Sequence, residues 1–485
     1  MSTDAVSTGR AASYRLGEEH LSLEAVESLS ARKGEPLWLL EKRRQGWELF
    51  ERLPTPNWTR GIRNWWSSNM NEVDFDRLKP YADAVSTGGA ASYSQLTQYQ
   101  LAEQHPTGEG ENSGDLSSGK LIQHNSEVVQ VELSEEAKTA GVWFGSLDQA
   151  VIEKPELVQQ YFMTRAVLVG EDRITALHAA LWSGGLFLYV PKGVVLSAPF
   201  QAFFYADEPG LASFSHTLVV LGKNSSVKLI EEHRSPDSPV HSFDGGVVEI
   251  LVGEGAKAEY YNPQEWGNGY FNYSVKRAVI GRDGFQRWVV ATLGSSSSWV
   301  NVESVLEGQG AQAETTGLSF STGEQHFDVK TKSLHAAPHT SANTLFKAVL
   351  DDASLTGFQG GIRVLPAGQQ TDSFLEDHTL FLSDASKADA LPSLDVDAND
   401  VRCSHGATIG MIDAEQIFYL QSRGLDRSEA EKMIVAGFFE DVIQRVPLES
   451  VRERLRDSID AKQGGDGSLR VSGGESLMFN LNEID

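Results

Sequence analysis

The sequence predicts a mainly β protein: a central stack of β coils with helical regions before and after it. Three observations carry this. Short apolar runs rich in Val, Leu, Phe and Tyr recur at 186–190, 217–221, 227–230, 247–252, 288–292, 299–305, 344–350 and 362–365, each bounded by small or polar residues. Turns of one type punctuate them, as in Gly253-Glu254-Gly255-Ala256-Lys257-Ala258 and Gly308-Gln309-Gly310-Ala311-Gln312-Ala313. The spacing of these turns is regular: starts at 222, 253, 281 and 308 lie 31, 28 and 27 residues apart, and starts at 351, 366 and 383 lie 15 and 17 apart. Loose multiples of about fifteen fit coils that bury their apolar faces only against neighbouring coils, a β-helix or solenoid. A β-sandwich also yields many short strands and is the alternative.

The elements follow in order. Residues 1–165 read as an N-terminal helical region with flexible loops. Leu23, Val26 and Leu29 recur at helical spacing, Leu37, Leu40, Trp47 and Phe50 continue after Gly34 and Pro36, and Pro54 and Pro56 end the element. Trp58, Trp65 and Trp66 read as packing residues of this region. The segment Asp4–Tyr14 recurs almost unchanged as Asp83–Tyr93, ten of eleven positions agreeing, without a structural pattern to explain it. Residues 107–120 read as a loop, 120–131 as a strand and 134–162 as helical segments. Residues 166–410 form the β core. Residues 411–460 form a helical domain: Asp413 and Asp426 sit at cap positions, Glu429 completes a capping box, and Gly424 ends the first helix. Met433, Ile434 and Phe438 form one apolar stripe with Phe439 beside it, wider than a lone surface helix needs, which reads as a platform for a partner. Residues 461–485 read as a flexible tail.

A net charge of −26, from 41 basic and 67 acidic residues, opposes binding to nucleic acid or anionic membrane. The start lacks a signal-peptide pattern and no apolar run reaches 18 residues, so a cytoplasmic protein is expected. The chain has one cysteine, which excludes an internal disulfide and a self-contained four-cysteine cluster.

That cysteine stands in Asp400-Val401-Arg402-Cys403-Ser404-His405-Gly406-Ala407-Thr408-Ile409-Gly410. On an extended segment Cys403 and His405 share a face. Thiolate and imidazole together suit iron, zinc or an iron–sulfur cluster, and Arg402 is expected to favour the thiolate. Two ligands suit a transient site that a partner completes. A hydrolase reading, with Cys403 as nucleophile and His405 as base, lacks a third group. His326, His335, His339 and His378 match no ligand spacing and read as surface or core residues.

The stretch Cys403-Ser404-His405-Gly406-Ala407-Thr408, followed by Asp413, Glu415-Gln416-Ile417-Phe418-Tyr419-Leu420 and Ser422-Arg423-Gly424, resembles the SufB/SufD family of iron–sulfur cluster assembly proteins. The likeness runs from about residue 360 to 448, with echoes in Ala31–Pro36 and Leu188–Val194, and is nearest to SufD. It implies a right-handed parallel β-helix between helical ends. It implies a non-catalytic subunit that pairs with a SufB-like chain, or with a second copy when isolated. It further implies that a SufC-like ATPase docks on the C-terminal helices, at Phe418, Tyr419, Met433, Ile434, Phe438 and Phe439. His405, with Cys403, would then meet iron or a cluster held transiently at the SufB interface, with no stably bound cofactor. SufB proteins carry a cysteine about seventeen residues before Cys403 and a glutamate where Gly406 stands; the turn Asp384-Ala385-Ser386-Lys387-Ala388 has no thiol, which favours SufD.

Two rivals remain. One is a SufB-like scaffold that builds clusters itself. The other is a β-helix carbohydrate-active enzyme using carboxylates among Asp395, Asp397 and Asp400, of which Asp395 and Asp397 share a face.

Overall fold

A computed structural model describes residues 20–56, 70–84 and 117–464. Trp58, Trp65 and Trp66, the first repeat copy, nearly all of the second, residues 107–116 and the tail beyond 464 lie outside the described residues. The chain divides into two compact units between Ile412 and Asp413.

The first unit is a parallel β-solenoid of about eight turns. Its strands alternate between a ten-stranded and a twelve-stranded sheet. Phe271 pairs with Ser297, Lys257 with Phe285, Gln312 with Ser341 and Gly361 with Ser393, so one turn takes 26 to 32 residues. The fifteen-residue spacing of the sequence is therefore half a turn, one crossing from sheet to sheet. Turns stay tight where Gly255 and Gly310 adopt φ of 63° and 74°, a backbone region in which a side chain is strained.

Between the sheets lies a core of Leu229, Tyr260, Trp288, Phe346, Phe358 and Leu375, all supplied by alternate residues. The outer face of the twelve-stranded sheet is covered as well. There Phe187, Leu218, Val220, Val247 and Leu251 join Val26, Leu29, Leu39 and Trp182 from the N-terminal layer. Burial on both faces is why 247–252 is apolar on both sides, interrupted only by the buried Glu249.

The N-terminal helices are Leu23–Lys33, capped by Ser22 and closed by Gly34, and Leu37–Arg52, which starts after Pro36. Arg43 ties this layer down. Its guanidinium donates to both oxygens of Glu35 (2.7 and 2.6 Å) and to the carbonyls of Ala180 and Trp182 (2.9 and 3.0 Å).

Three local expectations change. The strand expected at 120–131 is an antiparallel hairpin, Gly119–His124 and Glu127–Leu133, turned at Asn125 with φ 52°. Trp143–Ser146 is a strand inside a segment read as helical. Arg173–Leu181 is a helix with an Asp172/Thr175 capping box, where β sequence was expected to begin.

The second unit has three helices among its described residues: Ala414–Ser422, Arg427–Ile443 and Glu449–Lys462. Asp413 caps the first, and Asp426 with Glu429 forms a reciprocal capping box on the second. Ala430, Val435, Phe439, Val442, Val451, Leu455 and Ile459 make its core. No described helix is long and apolar enough to cross a membrane.

Candidate functional site

The ten-stranded sheet ends at the strand Val401–Met411, which pairs in parallel with Thr371–Phe381. Among the described residues, this last strand has one hydrogen-bonded neighbour and its other edge is unpaired. Alternation sends Val401, Cys403, His405 and Ala407 toward the side that continues the solenoid interior. Val401 and Cys403 pack against the core; His405 and Ala407 are exposed, as are Ile409 (44%) and Met411 (48%) further along. Cys403 and His405 thus share one face at the open end of the stack.

Cys403 lies opposite Ser373 and His405 opposite Leu375. Burial pushes the Cys403 thiol above its ordinary value, and the nearby Asp372 carboxylate adds to this. Arg402 points away and pairs with Asp372 at 3.7 Å, so the expected activation of the thiol by Arg402 is not found. Cys403 is a free thiol, and its surroundings disfavour the thiolate. Among the described residues, no three His, Cys, Asp or Glu side chains converge as a metal site. On the shared face of the last strand the chain offers one soft sulfur, Cys403, and one imidazole, His405.

On the second unit, Phe418 (72% exposed), Tyr419 (49%) and Met433 (53%) stand out in solvent. Arg423 covers part of Tyr419, stacking at 5.1 Å and donating to its hydroxyl at 3.0 Å. Ile434 and Phe438 are half-buried. Phe439 has no exposed surface, so it supports this apolar face from beneath. The reason is helical geometry: on Arg427–Ile443, Phe439 shares the inward stripe of Val435 and Val442.

Asp395 and Asp397 do share a face, yet both are held by the Arg363 fork (2.5 and 2.6 Å). That fork holds one oxygen of each carboxylate in an ion pair. Of the four histidines, His335 is buried between Thr340 (2.8 Å) and Ser373 (3.2 Å), and burial lowers it to about 4. His378 bonds Thr408 at 2.7 Å, His326 is half-buried near Asp328, and His339 is exposed.

The interior also holds a polar cluster that sequence reading missed. His233 meets Glu231 at 2.8 Å, Thr217 donates to Glu231 at 2.7 Å, and Lys276 donates to Ser274 at 2.8 Å. Burial pushes Asp244 up to about 6 and Lys276 down to about 8. Glu231, His233, Asp244, Ser274 and Lys276 line a cavity of about 10 Å³, room for about one water molecule. A signal was present. Val227 and Leu229 face inward, and the same alternation carries Glu231 and His233 inside.

Comparison with known proteins bears on this geometry. Residues 203–438 match the family model of the SUF system FeS cluster assembly SufBD core domain, and residues 114–202 match that of the SufBD protein N-terminal region. An iron–sulfur cluster assembly SufBD family protein of Staphylococcus saprophyticus is 31% identical over 439 residues, 90% of this chain and 92% of the relative. One from Staphylococcus epidermidis is 30% identical over the same span. The iron–sulfur cluster assembly protein SufB of Bacillus subtilis is 28% identical, again with 90% and 92% covered.

Proposed function

The chain belongs to the SufB/SufD family of iron–sulfur cluster assembly proteins, and from that premise we propose that it is the SufD-like, non-catalytic subunit of a cytoplasmic SufB–SufC–SufD complex. The observation that carries this is the last strand, Val401–Met411, with the only cysteine of the chain and His405 on its inner face at an open sheet edge. An unpaired strand edge is a template for another strand. A SufB-like chain, or a second copy of this one, would continue the sheet there. Its ligands would then complete the pair that Cys403 and His405 begin. Iron, or a forming cluster, is cargo at that junction and is not kept by this chain alone.

The SufD-like assignment is supported by Ser386, a buried serine that donates to the Asp352 carbonyl (3.1 Å) in the turn where a SufB cysteine is expected. It is also supported by Gly406 in place of a glutamate. The SufB-like scaffold is the second reading, favoured by the name of the Bacillus subtilis relative. The exposed Phe418, Tyr419 and Met433, with Ile434 and Phe438 behind them, offer the docking face for the SufC-like ATPase. Phe439 maintains that face from the core.

The experiment is co-purification of wild type and His405→Ala with SufB-like and SufC-like partners, followed by anaerobic iron and sulfide analysis. A complex that assembles in both cases but holds iron only with wild type supports the proposal. A wild-type chain that ignores both partners ends it. Cluster assembly by the chain alone would favour the scaffold reading.

A further inference from the structure

One acid near the open end has no partner among the described residues. Asp377 is fully buried, and neither of its carboxylate oxygens accepts a hydrogen bond. It faces inward with Ser373, Leu375 and Thr379 on Thr371–Phe381. The register sets Leu375 beside His405 and Asp377 beside Ala407. Asp377 is therefore the diagonal neighbour of His405 across the last two strands. With parallel strands about 4.8 Å apart and a rise of about 3.3 Å per residue, such neighbours stand about 8 Å apart at Cα, a span that an imidazole and a carboxylate leaning toward each other bridge through a shared ion. The last strand puts only the Ala407 methyl beside the carboxylate. Nearby histidines are engaged elsewhere: His335 with Thr340 and Ser373, and the outward His378 with Thr408. A carboxylate removed from water with no compensating bond is costly, and a cation beside it removes that cost.

We propose that Asp377 supplies the oxygen ligand of a divalent transition-metal site whose nitrogen ligand is His405. This rests on the reading of His405 as an iron ligand and deepens it by naming a second ligand from this chain. Imidazole with carboxylate suits ferrous ion and its first-row relatives, where thiolate would select softer metals. Cys403 lies two residues to the other side of His405, opposite Ser373, and is not part of this pair. Two ligands leave the remaining positions to water or to a partner chain, so binding to the isolated chain is weak and reversible.

The test is titration of the full-length chain with Co(II), whose visible spectrum reports nitrogen and oxygen ligands. Wild type, Asp377→Asn and His405→Ala are compared, with unfolding midpoints measured alongside. Expected is one Co(II) per wild-type chain and at least tenfold weaker binding by each variant. Asp377→Asn should unfold at the same midpoint as wild type or above it, because an isosteric amide replaces an unpaired acid. If the Asn variant folds poorly, Asp377→Ser serves in its place. Binding by the Asp377 variant within twofold of wild type, with His405→Ala impaired, overturns the site and leaves the His405 reading intact. Unimpaired His405→Ala overturns both. No Co(II) binding by wild type at millimolar concentration also overturns the site, while the iron content of the partner complex still decides His405.

Discussion

Glu249 Oε2 lies 3.1 Å from His216 Nε2, and both side chains are wholly buried between the N-terminal layer and the twelve-stranded sheet. The proton between them can be assigned. His178 Nδ1 donates to the Gly245 carbonyl at 2.7 Å, so its Nε2 accepts from His216 Nδ1 at 2.9 Å. In neutral His216, Nε2 is then an acceptor and Glu249 donates to it, while the Met163 and Val167 amides donate to the Glu249 oxygens at 2.7 and 2.9 Å. Burial acts the same way, holding His216 down at about 3 and pushing Glu249 up to about 7.

This gives a pH prediction. The protonated Glu249 is favoured in the folded chain, so its contribution is complete below about pH 4.5 and is lost as pH rises through about 7. Glu249→Gln keeps a donor for His216 and does not titrate; its amide nitrogen cannot accept from Met163 N as Oε2 does at 2.7 Å, a loss that does not vary with pH. Between pH 5 and pH 8 the variant should gain about 3 kcal/mol relative to wild type. Urea-unfolding midpoints at the two pH values check this; a difference independent of pH would refute the assignment.

Glu35→Ala should be far more damaging. It leaves the Arg43 guanidinium buried with only two carbonyls as acceptors. Breaking a buried pair in this way costs about 3–5 kcal/mol. Thermal unfolding would register that cost, and a loss under about 1 kcal/mol would mean that water reaches Arg43.

Adjacent glycines should behave differently. A Cβ on Gly360 would run into Leu375, the core residue beside His405, whereas one on Gly361 meets nothing closer than Ser393 Oγ at 3.5 Å. Gly360→Ala should cost about 1–3 kcal/mol through overpacking. Gly361→Ala should be close to neutral. Equal effects in chemical denaturation would contradict this packing.

On the helical unit, Phe418→Asp with Met433→Asp should leave stability within about 0.5 kcal/mol, since both residues are exposed. Capture of the SufC-like ATPase should fall at least tenfold. Phe439→Ala should instead destabilise the unit by about 3–5 kcal/mol. If the exposed pair leaves capture unchanged, the docking face lies elsewhere.

How much of this could be read beforehand depended on which force set each element. The solenoid was legible because its turns are glycine-marked and evenly spaced. The strands missed, such as Gln312–Ser321 and Thr371–Phe381, are rich in Ser, Thr, Glu and Asp that face either solvent or the polar interior, so hydropathy alone understated them. The helix Arg173–Leu181 was obscured because it is buried throughout and shows no polar face. Cys403 and His405 announced themselves by residue type. Asp377 did not, because its meaning comes from register with Ala407, a long-range pairing that no local pattern encodes.

The terminal position of Val401–Met411 also has a dynamic consequence. A stacked coil is close to a one-dimensional lattice, in which each layer is stabilised by its neighbours and the ends open first. The backbone amides of this strand should exchange with solvent sooner than those of Gln312–Ser321, which is flanked on both sides. Adding a second chain's strand would give the layer its missing neighbour and slow that exchange. The segment carrying Cys403 and His405 would then pass from supple to rigid at the moment of assembly, so that partner binding itself sets the stiffness of the ligand pair.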